Sequence, residues 1–77
     1  MKANETTLRR QVRQWQAQAR DHDANAEECR RLIEILRRRG AEDRLEMEAL
    51  LGIARYHRVQ SLKKSALALG AQDQLGA

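Results

Sequence analysis

Three side chains in this sequence are of types that do chemistry: His22, Cys29 and His57. A thiolate and two imidazoles could hold a transition metal or form a nucleophile with its base. Their spacing argues against both. On a single helix His22 and Cys29 lie two turns apart, and no H-x-x-x-H or C-x-x-C pattern brings ligands to one face. There is no Gly-rich phosphate loop and no carboxylate pair in a plausible pocket. The expectation is a non-enzymatic protein with no cofactor, no metal and no small-molecule ligand. The lone Cys29 cannot close an internal disulfide. It reads as a buried, inert thiol, with a disulfide across a dimer axis or a reactive thiol as the sharper alternatives.

The cations suggest a second kind of chemistry. Arg37, Arg38 and Arg39 form a run, but three cations in a last helical turn also complement the helix dipole, and Glu34 can pair with Arg38. No acid occurs between Glu48 and Asp73. Arg55, Arg58, Lys63 and Lys64 in that stretch, with Arg9, Arg10 and Arg13 near the N-terminus, would make one end of a hairpin basic. That end would suit an acidic protein or a phosphate backbone. These cations are spread around their helix, and no nucleic-acid signature accompanies them. Nucleic acid is therefore the secondary expectation.

The elements that must position these groups are helices. Leu8, Val12, Trp15, Ala19, His22, Ala26, Cys29, Ile33 and Leu36 alternate steps of four and three without a slip. That spacing lays one face of a long helix along a partner helix. Asn4 offers an N-cap and Gly40 a left-handed stop, so the first helix is expected over about residues 4–39. Its length would be about 54 Å. Asp21, His22, Asp23 and Asn25 are poor helix formers, but the phase runs through them, which favours continuity. After a turn at about residues 40–43, Asp43 and Glu46 form a D-x-x-E capping box. The second helix is expected over about 44–69, ending at Gly70 with a frayed tail over 70–77. So short a connection makes the helices antiparallel. The fold expected is an all-α, antiparallel two-helix hairpin in a single domain, coiled-coil-like and dimerising.

The second helix carries two apolar faces. Met47, Leu50, Leu51, Ala54, Leu62, Ser65 and Leu69 form a stripe suited to the hairpin seam, with Arg58 falling within it. Leu45, Ala49, Ile53 and Tyr56 lie on the opposite side, with Val59 at the edge. One first helix cannot cover both, and contiguous exposed apolar patches mark interaction sites. The expected partner-binding residues are therefore Leu45, Ala49, Ile53 and Tyr56, with Arg55 and Trp15 at the margins. Trp15 reads as seam core, or as an exposed anchor if the second helix frays before reaching it. Counting from a turn at 40–41 sets Leu36 beside Leu45, Ile33 beside Glu48, Cys29 beside Gly52, His22 beside Val59 and Trp15 beside Ala66. Gly52 then reads as a close approach near Cys29, and Leu8 reaches the end of the second helix or passes it.

Composition limits what such a hairpin can do alone. Leu, Ile and Val total fifteen of 77 residues, and Phe is absent. So thin a core in a short chain needs a staple or a partner. The formal charge is +4, with ten Lys/Arg against six acids over residues 1–39 and five of each over 40–77. No apolar run approaches a membrane span, the first residues lack the apolar stretch of a signal peptide, and a lone cysteine suits the cytoplasm. The expected partner is another protein, itself as a homodimer, or both. In size and outline the chain is similar to the short helical-hairpin co-chaperones of type III secretion needles, a likeness that carries no residues across. A small bacterial or phage inhibitor, adaptor or co-chaperone fits, with a dimeric nucleic-acid binder or a structural coiled-coil oligomer as the other readings.

Overall fold

The computed structural model describes residues 2–40 and 44–76, with side chains from Asn4 onward. It is an all-α helical hairpin of two elements, α1 (Lys2–Arg38) and α2 (Arg44–Gly76), and measures 59 × 14 × 13 Å. α1 is unbroken through Asp21–Asn25. The seam phase there is maintained by Ala19, His22 and Ala26, and tertiary pairing outweighs the weak local propensity. Because α1 begins at Lys2, Asn4 lies inside the helix. Asp43, the other expected cap, lies outside the described residues.

Gly40 ends α1 as its spacing suggests. Its φ is +70°, and its N–H donates to the Arg37 carbonyl at 3.0 Å. This is the bond that a left-handed residue just past a helix closes on the last turn. Arg38 pairs with Glu34 at 3.8 Å, so part of the arginine run is neutralised within its own helix.

All nine members of the α1 stripe are buried or half-buried. α2 answers with nine of its own: Met47, Leu50, Ala54, His57, Ser61, Lys64, Ala68, Ala71 and Leu75. These too alternate steps of three and four. The expected α2 stripe is correct as far as Ala54 apart from Leu51, and wrong beyond it. Leu62 and Leu69 are 67% and 62% exposed, and Leu51 is exposed as well. Arg58 flanks the seam, and Ser65 is half-buried at its edge. The physical reason is continuity of phase. A straight partner stripe requires one uninterrupted heptad, and that heptad takes His57, Ser61 and Lys64 in preference to nearby leucines. Lys64 can occupy such a place because its stem packs while its ammonium reaches water.

α2 also runs past Gly70 to Gly76, a full seven residues beyond the expected end. Ala71 and Leu75 continue the seam and pack with Leu8, Val12, Trp15 and Ala68. That contact explains why the helix persists through a glycine, and why Leu8 does not overhang. Gly52 is not a close approach, since a Cβ there would meet nothing within 4 Å.

Candidate interaction surface

Heptad letters organise the surface. In α1 the a positions are Val12, Ala19, Ala26 and Ile33, and the d positions Leu8, Trp15, His22, Cys29 and Leu36. In α2 Met47, Ala54, Ser61, Ala68 and Leu75 take a, and Leu50, His57, Lys64 and Ala71 take d. Asp23 and Arg58 each follow a d residue, and they pair across the seam at 3.7 Å. The e positions of both helices therefore share one flank. The g positions share the other, as antiparallel pairing requires.

The two layers of the seam are closed unequally. Apart from Met47 and Leu75 at the ends, every a residue is buried. Among the d residues only the small Cys29 and Ala71 are buried, while Trp15, His22, Leu36, Leu50, His57 and Lys64 stay half-open. The buried Cys29 is a free thiol. At mid-seam the Nδ1 atoms of His22 and His57 are 2.9 Å apart. One ring donates its N–H and the other accepts. Tyr56 stands edge-on to both rings. The partner of His22 is thus His57, not Val59, because counting along the axis ignores that Val59 points away from the seam. Among the described residues no third His, Cys, Asp or Glu joins them as a metal cluster.

The expected partner-binding residues separate in two. Leu45, Ile53 and Tyr56 are 79%, 46% and 57% exposed, and Ala49 is exposed beside them. Arg55 does not join them. It lies on the opposite flank, where Arg30, Arg55 and Arg58 surround Leu51 and Ala54 in a shallow depression. Trp15 packs on the Val12–Ala68–Ala71 cluster and, with Leu8, lines a groove beside Leu67, Gly70 and Gln74. It is both core and groove wall.

The basic residues are not one patch either. Arg9 and Arg13 lie on the flank of Arg58, Arg10 on the outer face, Lys63 on the g side and Lys64 in the seam. Acids temper several of the cations: Glu27 pairs with Arg30 at 3.8 Å, and Glu28 bonds Arg31, raising its pKa by that hydrogen bond and by its charge.

Sequence reasoning missed Leu32 and Ile35. Both are exposed, and both immediately precede a seam residue, Ile33 and Leu36. That adjacency was the available signal: an apolar g or c position beside a or d widens a two-helix seam toward a bundle face. No helix of the described residues is long and apolar enough to cross a membrane. Compared with protein-family models, with curated proteins and with solved structures, the chain matches none.

Proposed function

We propose that the protein is a non-enzymatic protein–protein interaction module, of the inhibitor, adaptor or co-chaperone kind, that docks the outer apolar face of α2 on a protein partner. The observation that supports this reading is the exposure of Leu45, Ile53 and Tyr56 on a helix whose opposite side is already occupied by α1. A chain with few large apolar residues leaves these outside its own core, and apolar patches of that kind serve contact with other proteins. The test is Ile53→Asp. Because Ile53 is exposed, the circular dichroism of the variant should match the parent, while binding to a protein partner should weaken by more than about 30-fold, the effect of removing an interface anchor. Loss of helicity would place Ile53 in the core and end this reading.

A second reading has its own support in Arg30, Arg55 and Arg58 around one depression. An anionic partner, including a nucleic-acid backbone, would be held there by charge. Its affinity should then fall steeply and linearly in log salt. Titration of a mixed-sequence duplex at low and at physiological salt decides it. Absence of binding at low salt removes this reading.

A further inference from the structure

We infer that a second copy of this chain covers the d/g flank of the hairpin, with the two turns at opposite ends, to form a four-helix bundle. This deepens the interaction reading above and rests on it, and it names the partner.

Four observations converge on that flank. First, the seam is shut on its a side and half-open on its d side, so the core is incomplete in one direction only. Second, the g row bordering the open side carries no charge over most of its length. It reads Gln11, Gln18, Asn25 and Leu32 on α1, then Ile53, Gln60, Leu67 and Gln74 on α2, with Arg39 and Glu46 as the charged exceptions near the turn. The e row on the other flank carries Arg9, Asp23, Arg30, Arg37, Arg44 and Arg58. Apolar a and d positions with a third apolar position on one side are the pattern of a bundle helix, and Leu32, Ile53 and Leu67 supply it in part. Amides and aliphatics can be buried against their own kind, because Gln and Asn both donate and accept. Ile35, Ala49 and Tyr56 extend the same flank outward.

Third, the charge along the molecule is uneven and disfavours one orientation. The turn-proximal half, residues 23–57, holds eight acids and seven arginines. The other half, residues 1–22 and 58–77, holds eight Lys/Arg and three acids. Copies with their turns side by side would set the two cationic ends together. Copies with turns opposed set each cationic end beside the nearly neutral half of its mate, which avoids that repulsion. The centre of such a pair falls near His22, His57 and Tyr56, about midway along both helices.

Fourth, the surface is too large for a finished fold. A folded chain of this mass is expected to expose about 4,800 Å², and this one exposes 6148 Å². Covering about 800 Å² per copy, a standard interface, would remove most of the excess.

Sedimentation equilibrium at micromolar concentration tests the pairing with three single variants. Leu32→Glu and Ile53→Asp, on different helices but one flank, should each raise the dimer dissociation constant by more than about 30-fold. Leu62→Asp, on the other flank, should leave it unchanged. A spin label at Arg38→Cys in a Cys29→Ser background reads the orientation. Opposed turns separate the labels by a large part of the 59 Å length, and turns side by side would bring them within about 20 Å. A short distance overturns the orientation. Sensitivity to Leu62→Asp, with none to Leu32→Glu, overturns the flank. A monomeric parent at 100-fold higher concentration overturns the second copy as occupant, yet leaves docking on a different protein standing. Helicity lost in Ile53→Asp would end both.

Discussion

The His22–His57 pair shows how much a seam position constrains a side chain. Two rings whose Nδ1 atoms are 2.9 Å apart fill the middle of a line that is otherwise mostly alanine and aliphatic. A single N–H···N bond satisfies one nitrogen of each ring. Removing one partner leaves the other's nitrogen half-buried without it, whereas replacing both with apolar groups removes the demand. His57→Leu alone is expected to lower stability by about 1 kcal/mol. His22→Leu with His57→Leu should recover that loss and add to it. Thermal melts of the two variants check this, since about 1 kcal/mol moves the midpoint of a domain this small by roughly 4–8 °C. A double variant less stable than the single one would mean that the pair contributes net stability. His22 was legible as a polar seam residue from its spacing. Its partner was not, because His57 lies next to Tyr56 and Arg58 in a stretch whose apolar pattern points elsewhere.

At the scale of elements, the glycines separate a helix end from a helix interior. Gly40 has φ of +70°, which an L side chain adopts only with strain. Gly40→Ala should cost about 1 kcal/mol. Gly52 and Gly70 lie inside α2 with open space where a Cβ would stand. Gly52→Ala and Gly70→Ala should each stabilise by up to about 1 kcal/mol, the propensity difference in a helix interior. Urea unfolding measures all three. Gly70→Ala is the sharpest of them, because a helix that ended there in a left-handed residue would be destabilised instead. A glycine near the end of an apolar pattern reads as a stop. What overrides the stop is the packing of Ala71 and Leu75 on Leu8, Val12 and Trp15, which local propensity does not contain.

For the whole molecule, the same packing makes the last turns of α2 structural. Truncation after Leu69 removes Ala71 and Leu75 and opens one wall of the groove beside Trp15. The expected result is a red shift of Trp15 emission and a loss of about 1–2 kcal/mol, on the scale of one buried alanine and one half-buried leucine. An unchanged spectrum and midpoint would mean the tail is ornamental. The hairpin as a whole is long and thin, with no residue in the described chain both large and fully buried. Its shape follows from the thin apolar content: two helices meeting along one line enclose a row of small side chains, not a volume.

Helical class, the two-element layout, the stop at Gly40 and the complete α1 seam all follow from sequence alone, because each depends on local periodicity or on one residue's backbone preference. The apolar character of Leu45, Ile53 and Tyr56 was readable in the same way. The far half of the α2 seam was decided only in the folded hairpin. Leu62 and Leu69 attract a one-helix reading by their hydrophobicity. Phase continuity against a straight α1 instead selects His57, Ser61 and Lys64 and turns those leucines outward. The division into a charged e flank and a largely uncharged g flank was likewise hidden. A flank is a property of two helices in register, and the register is set by contacts between residues some 35 positions apart, such as His22 with His57.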